Sequence, residues 1–223
     1  LMNFTGHPVI LGGDNLLLSS EYPGVVQDTV EAVLGGVALH TQGACGDVTM
    51  QRQGNPFKEV ERIGKLVAGS VIETAMRIRP VADARVVNDF EPVKVNLRVV
   101  PPVAEAEHLA KEAQAAFEAA QQGTLREAEL NKLARVADAA NTTAMVAGWI
   151  ERNPDGMADA ANASVHVMQI GPMVSVRIPG ELFVEYGLEM KRRVRDGFDR
   201  SMILIGYANG YIGYIVTPRA IYT

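Results

Sequence analysis

Segments with two different apolar periodicities follow one another along this chain. Residues 57–78 repeat apolar side chains at the spacing of one face of an α-helix. The members of this stripe are Val60, Ile63, Val67, Val71, Ala75 and Ile78. Residues 84–100 instead alternate β-branched and polar side chains, which predicts two strands joined near Asn88 and Asp89. Helices and strands interleaved in this way, with hairpins between them, predict an α/β fold with a mixed β-sheet and flanking helices.

The remaining elements are assigned from their periodicity and from the turn residues that separate them. Clusters of glycine, proline and asparagine mark the turns. The predicted elements are a strand over 1–11, a helix over 22–36, a strand that starts at 37 and breaks into a Gly-rich loop by 49, a β-hairpin over 164–178, a helix over 180–194 and two strands within 202–216.

An Ala-, Glu- and Lys-rich stretch over 103–152 predicts two antiparallel helices. Gly123 ends the first helix, and Thr124 with Glu127 has the spacing of a capping box at the start of the second. We interpret this pair as a peripheral helical hairpin on a single domain that covers 1–223. Its composition indicates helix and carries no functional signal.

Composition and charge exclude several classes of partner. The net charge is −5 and the pI is near 5.4, so no basic surface is predicted for nucleic acid or for an anionic membrane. The apolar runs are shorter than a membrane-spanning helix requires, so we predict no transmembrane segment. Cys45 is the only cysteine, which excludes an internal disulfide and a Cys-based zinc knuckle.

Both ends of the chain resemble the interior of a domain. The chain opens on the strand-like "LMNFTGHPVI" and closes on "TPRAIYT", just after Pro218, where a helix can begin. We therefore expect this chain to be part of a larger catalytic domain whose upstream half is missing. The absence of a signal peptide then leaves the localisation open.

Among the four histidines, His7 is the strongest candidate for a functional role. It ends a predicted strand and precedes a proline and a Gly-rich turn, and strand ends that lead into loops are where α/β proteins hold ligands. We interpret His108 as solvated and His166 as a strand residue, while His40 fits either role. No pair of histidines has the short helical spacing of a metal motif, so a metal site would need ligands distant in sequence.

Two acidic residues stand at turns, and each has two interpretations. The segment "GACGDVT" over 43–49 lacks a Walker signature. It presents Asp47 or Thr49 to a cavity, or it is a tight turn whose aspartate caps backbone amides. Glu181 follows Pro179 and Gly180 at the predicted start of a helix, where a carboxylate also stabilises the helix dipole without any function.

Four motifs in a fixed order resemble the neutral/alkaline (non-lysosomal) ceramidase family. They are "NFTGHP…GGDNLLLSSEYPG", "QGACGDVT", "IPGELFVEYGLEMKRR" and "ANGYIGYIVT". The resemblance covers most of the chain and is weakest across 103–152. It implies a catalytic domain that binds one zinc ion and hydrolyses the amide bond of ceramide to a fatty acid and sphingosine. It also implies a secreted or periplasmic location.

The resemblance assigns three zinc ligands to this chain. His7 matches a zinc-binding histidine, Glu181 a zinc-binding glutamate and Tyr214 a zinc-binding tyrosine. A further histidine ligand is expected upstream of residue 1. Tyr214 alternatively keeps its proton and donates to the oxyanion. Because residues three apart in an extended segment point to opposite faces, Tyr211 is expected only to pack.

The nucleophile position departs from the family pattern. Ceramidases carry a Gly-Asp-x-Ser-Pro-Asn segment, whereas this chain has Thr49, Met50 and Gln51 in the last three positions. A threonine hydroxyl can act as a nucleophile, although its β-methyl group restricts the side chain and crowds the attack. Alternatively, a zinc-activated water attacks the amide and Thr49 only orients it.

Three functional hypotheses remain from the sequence. The first is a zinc-dependent amide hydrolase acting on ceramide or another N-acyl lipid. The second is a zinc hydrolase of the same fold with a smaller substrate, which the loss of Ser-Pro-Asn favours. The third is a non-catalytic protein, and the retention of His7, Glu181 and Tyr214 argues against it.

Substitution of Thr49 by alanine distinguishes attack by the Thr49 hydroxyl from attack by an activated water. If the Thr49 hydroxyl attacks the amide, Thr49→Ala abolishes turnover, because no other hydroxyl replaces it. If an activated water attacks, the loss of turnover is only partial. The measurement is the rate of release of fatty acid from a long-chain N-acylsphingosine by the wild-type and variant proteins.

Overall fold

The computed structural model describes residues 1–13, 15–51, 53–82, 84–95, 99–155 and 162–221. Asp14, in the Gly-rich turn that follows His7, and residues 96–98 of the predicted strand region lie outside the described residues. The helices are α1 (Glu21–Leu34), α2 (Pro56–Ala75), α3 (Val103–Gln121), α4 (Glu127–Arg152), α5 (Val184–Phe198) and α6 (Pro218–Ile221). The strands are β1 (Met2–Phe4), β2 (His40–Gln42), β3 (Val86–Lys94), β4 (Asn162–Ile170), β5 (Met173–Arg177), β6 (Glu181–Leu182), β7 (Ser201–Ile205) and β8 (Tyr214–Ile215).

The strands form sheets in which parallel and antiparallel pairs occur together. Strand β1 pairs with β2 in parallel, and β6 pairs with β8 in parallel. The four-stranded sheet has the order β3-β4-β5-β7, in which β4 and β5 are antiparallel and β5 and β7 are parallel. The predicted α/β class with mixed strands is therefore confirmed.

The chain divides into two compact units, residues 1–93 with 163–223 and residues 94–162. In the second unit α3 and α4 pack against each other as the predicted helical hairpin, with small side chains such as Ala106 and Ala137 buried. The capping box predicted at Thr124 and Glu127 is wrong. Arg126 precedes the first turn of α4, and its backbone N–H and guanidinium both donate to the Glu129 carboxylate. The helix therefore begins two residues later than predicted.

Two apolar clusters hold the first unit together. The predicted stripe packs on α1 through Val60, Ile63 and Val67, whereas Ile78 lies beyond the end of α2 and is exposed. The fully buried Tyr22 of α1 meets Phe4 of β1 edge to face. The second cluster joins β5, β7 and α5 around Leu204, which is 1% exposed. Among the described residues, no helix is long and apolar enough to cross a bilayer.

Three predicted boundaries are corrected. The strand predicted over 1–11 ends at Phe4, and His7 forms only an isolated bridge with Thr49. Among the described residues of 84–100 there is one strand, β3, which continues through Asn88 and Asp89, where a join between two strands was predicted; nearly all of its residues are exposed. The helix predicted from 180 begins at Val184, because Glu181 instead pairs with Tyr214 in a sheet.

The Gly-rich loop over 43–49 lies against β6 and the start of α5. The Gly46 N–H donates to the Leu182 carbonyl over 2.8 Å, and a Cβ at Gly46 would lie 2.7 Å from the Glu181 carbonyl oxygen. The Asp47 carboxylate accepts from the Val184 N–H at 2.7 Å, and so caps α5. The capping interpretation of Asp47 therefore agrees with the structure, and the loop fixes where Glu181 lies.

Alanine at Gly46 tests this close approach. We expect Gly46→Ala to destabilise the protein by about 1–3 kcal/mol, because the new methyl group must displace backbone atoms rather than a flexible side chain. The matched control is Gly69→Ala in α2, where a Cβ meets nothing within 4 Å and should stabilise by about 0.5–1 kcal/mol. Urea unfolding measures both, and equal stabilities for the Gly46 variant and wild type would contradict the prediction.

Candidate active site

Hydrogen bonds to the backbone carbonyls of Val48 and Gly6 fix the position of His7. Its N–H donates to the Val48 carbonyl over 3.0 Å, and its ring Nδ1 lies 3.2 Å from the same oxygen. The carbonyl of Gly6, one residue earlier, accepts from the Tyr22 hydroxyl at 2.6 Å and from the Gln42 amide at 2.8 Å. The imidazole therefore has a fixed position, with its Nε2 edge turned toward β6.

The contact with Val48 also fixes which imidazole nitrogen carries a proton. A carbonyl oxygen can only accept, so Nδ1 carries the hydrogen and, in neutral imidazole, Nε2 presents a lone pair. Nε2 lies 2.8 Å from Oε2 of Glu181, which is itself an acceptor when ionised. Two acceptors this close require either a proton or a cation between them.

The Glu181 carboxylate is buried and surrounded by donors. It is 6% exposed, and its Oε1 accepts from the Tyr211 hydroxyl at 2.5 Å. Burial acts to raise the pKa of Glu181, but hydrogen bonds from Tyr211, Tyr207, His7 and Tyr214 outweigh it and hold the pKa below its usual value. The carboxylate is therefore ionised at neutral pH.

Three tyrosines from the segment 206–215 face this carboxylate. The rings of Tyr207 and Tyr211 stack with centroids 5.9 Å apart, and Tyr214 stacks on His7 at 6.5 Å. The hydrogen bond to Glu181, then burial, raises the pKa of Tyr211 to about 12. Burial, then Glu181, raises the pKa of Tyr214 to about 12, and burial raises the pKa of Tyr207 further. All three phenols keep their protons near neutral pH and are available as donors.

The expectation that Tyr211 only packs is wrong. It assumed an extended segment, but β8 begins at Tyr214, and Gly210 and Gly213 have φ angles of 143° and 82°. These glycines turn the chain, so residues three apart reach the same carboxylate. Tyr207 was not singled out by sequence reasoning, although the run of three tyrosines among glycines was the signal that could have found it.

The structure brings the sequence-predicted residues close together. His7 contacts Glu181 directly, and Tyr214 stacks on the His7 ring next to the Glu181 carboxylate. Thr49 is exposed, and its backbone forms a parallel bridge with His7. Glu181 stands in a strand instead of at a helix start, so its charge serves this cluster and not the dipole of α5.

The other histidines have local packing partners. The ring of His40 meets Tyr22 edge to face, and its burial lowers its pKa. His166 stacks on Phe90, and His108 pairs with Glu112 on the exposed surface of α3.

The donor types at this cluster suit zinc. An imidazole nitrogen and a carboxylate oxygen are ordinary zinc ligands, and the backbone hydrogen bond that fixes the His7 tautomer is the usual support of a metal-binding histidine. Within the described ranges no three histidine, cysteine, aspartate or glutamate side chains are grouped to hold a metal.

Two solved structures have a fold similar to that of this chain. The chain superposes on the neutral ceramidase from Pseudomonas aeruginosa with a TM-score of 0.61 and 16% identity, and on a ceramidase complexed with C2 with a TM-score of 0.60 and 14% identity. In each case 96% of this chain is covered, and it spans 38% and 39% of the respective ceramidase chains. No protein-family model and no curated protein matches the sequence. The ceramidase-like fold is thereby supported, and the chemistry is argued from the site.

The lowered pKa of Glu181 predicts a specific acid sensitivity of the metal-free protein. Because the folded pKa lies below the ordinary value of 4.5, the stabilisation from the ionised carboxylate is complete above that pH and is lost as the pH falls through the folded pKa. We expect the difference in free energy of unfolding between wild type and Glu181→Gln to shrink as the pH falls from 7 toward 3. Urea unfolding across this range measures it, and a pH-independent difference would contradict the assignment.

Proposed function

We propose that this chain carries the zinc-dependent centre of an amide hydrolase that cleaves the N-acyl bond of ceramide or a related N-acyl lipid. The products would be a fatty acid and an amine. The observation that carries the proposal is the 2.8 Å contact between His7 Nε2 and Glu181 Oε2, with the opposite ring nitrogen held by Val48. A pair of acceptors of which one is buried and the other partly buried is suited to share a cation.

His7, Glu181 and Tyr214 are the residues that would hold the zinc ion. When bound, zinc would act as a Lewis acid toward the amide carbonyl and lower the pKa of water. Glu181 brings the negative charge that offsets part of the cation's charge, and Val48 keeps the lone pair of His7 directed at the site. The motif resemblance assigns the same three positions, and the contact between His7 and Glu181 supports two of them.

The tyrosines supply hydrogen-bond donors where negative charge develops. Attack on an amide carbonyl leaves charge on its oxygen, and fixed O–H groups stabilise that charge better than water does. Tyr214, with a pKa of about 12, keeps its proton at the pH where such a reaction runs, whereas the Tyr211 proton is already donated to Glu181. In the alternative role for Tyr214, its hydroxyl donates to this oxyanion and the zinc is left to other ligands.

Thr49 is proposed as the nucleophile. Its backbone is bridged to His7, and the residue is exposed to solvent. Its hydroxyl oxygen would bond to the carbonyl carbon, the proton would pass to the departing amine, and water would then release the fatty acid from the ester. If water attacks directly, Thr49 would orient it.

A smaller amide or ester is the second candidate substrate. Met50, in the position of the family proline, lies partly buried against the α1–α2 cluster, and a Cβ at Gly6 would lie 2.9 Å from its terminal methyl carbon. The loop beside Thr49 is thus shaped by a side chain that the family pattern does not have.

The experiment combines metal content with amide hydrolysis by the full protein. We expect purified wild-type protein to bind about one zinc per chain and to hydrolyse a long-chain N-acylsphingosine. Glu181→Gln should weaken zinc binding by at least about 100-fold, since a direct ligand matters at least as much as an outer partner, and should lower turnover accordingly. Competition with a chromophoric chelator gives the affinity.

Glu189→Gln on the exposed surface of α5 is the matched control and should leave both measurements unchanged. Faster hydrolysis of short N-acyl amides than of N-acylsphingosine would select the smaller substrate. A wild-type protein that neither binds zinc nor is activated by it would contradict the zinc hydrolase for either substrate and leave the non-catalytic role.

A further inference from the structure

Tyr207 occupies a backbone conformation that its residue type seldom adopts. Its φ angle is 55°, in the left-handed region, and it lies two residues after the end of β7. Two backbone hydrogen bonds fix it there, from the Gly206 N–H to the Gln42 carbonyl and from its own N–H to the Gly180 carbonyl. Strained residues that the surrounding structure fixes in this way cluster at functional sites.

The hydroxyl of Tyr207 lies at the meeting point of the candidate centre and the protein interior. It is 3.1 Å from Nε2 of His7, and the nearby Glu181 carboxylate adds to the effect of burial in raising the pKa of Tyr207. On its other side it is 3.7 Å from the sulfur of Cys45, which is fully buried. The left-handed turn is therefore what carries this hydroxyl to both candidate ligands.

The hydrogen-bonding capacity of a phenol fits these three neighbours. A tyrosine hydroxyl donates one proton and accepts at its oxygen, whereas a thiol is a weak donor. The Cys45 thiol can donate to the Tyr207 oxygen, and the Tyr207 proton then points to Glu181 or His7. With a cation between these two ligands, the proton is left to the carboxylate.

The ring of Tyr207 also stacks on the ring of Tyr211. Its ring lies parallel to that of Tyr211, with an interplanar angle of 4°, and Tyr211 donates to the other oxygen of Glu181. Tyr211 thus holds Oε1 while Oε2 is directed at His7, and the stacked Tyr207 ring supports Tyr211 in this position.

We infer that Tyr207 is a positioning residue of the metal centre, which holds the Glu181 carboxylate and His7 Nε2 at ligand spacing through its hydroxyl. This inference rests on the proposed function and adds a residue that the ceramidase resemblance does not assign. Tyr207 acts through Glu181 and His7, and it need not touch the substrate or the zinc ion.

The test compares two variants that each lose only a tyrosine hydroxyl. Tyr207→Phe should weaken zinc binding by about 10- to 100-fold, the usual effect of removing a partner of a metal ligand. Tyr186→Phe is the matched control, because the Tyr186 hydroxyl donates to the Val216 carbonyl over 3.2 Å, and it should bind zinc like wild type. Chelator competition measures the affinities, and the absorption spectrum of the cobalt-substituted proteins reports the ligand geometry.

The thermal midpoint of each metal-free variant shows whether the substitution acts on the metal site or on the stability of the fold. We expect Tyr207→Phe to unfold within a few degrees of wild type while its cobalt spectrum changes. Zinc affinity within twofold of wild type would overturn the inference and leave the proposed function intact. Wild-type protein without zinc affinity would overturn both.

A second variant keeps the inference testable if Tyr207→Phe does not fold. Cys45→Ala removes the group on the other side of the same hydroxyl and should lower zinc affinity severalfold by freeing it to rotate. Unchanged affinity in Cys45→Ala would then overturn the role of Tyr207.

Discussion

The contact between His7 Nε2 and Glu181 Oε2 is the constraint on which the candidate site depends. The two residues are 174 positions apart, and both present acceptors when the imidazole is neutral and the carboxylate ionised. Such a pair is unfavourable in a buried place unless something positive lies between the atoms. The donors around it, from Tyr207, Tyr211 and Tyr214, stabilise the carboxylate charge without removing this requirement.

Close backbone approach makes that contact reachable. The loop over 43–49, strand β6 and the segment 206–213 cross within hydrogen-bonding distance of one another, through bonds such as Gly46 to Leu182 and Tyr207 to Gly180. A Cβ at Gly180 would lie 2.8 Å from the Gly213 carbonyl oxygen. Glycine at 46 and 180 is thus a packing requirement, because a side chain at either position would push the neighbouring segment away.

The sequence predicted well wherever a regular pattern repeated. The stripe of α2, the helical hairpin over 103–152 and the β-hairpin about Gly171 were all predicted close to their observed bounds. It failed where a pattern was short. Glu181 was expected at a helix start, but β6 is only two residues long, and its pairing with β8 depends on a segment far along the chain.

By itself, the sequence determined the α/β class, the main helices and the candidates His7, Thr49, Glu181 and Tyr214, because local periodicity and ordered motifs are written in neighbouring residues. Only the tertiary structure decided that Tyr207 and Tyr211 join them. Their side-chain directions follow from left-handed and glycine conformations in the segment 206–213, which hydrogen bonds to Gln42, Ile178 and Gly180 select. Those partners lie elsewhere in the chain. The run of tyrosines among glycines therefore marks the segment, but it does not show which carboxylate the hydroxyls reach.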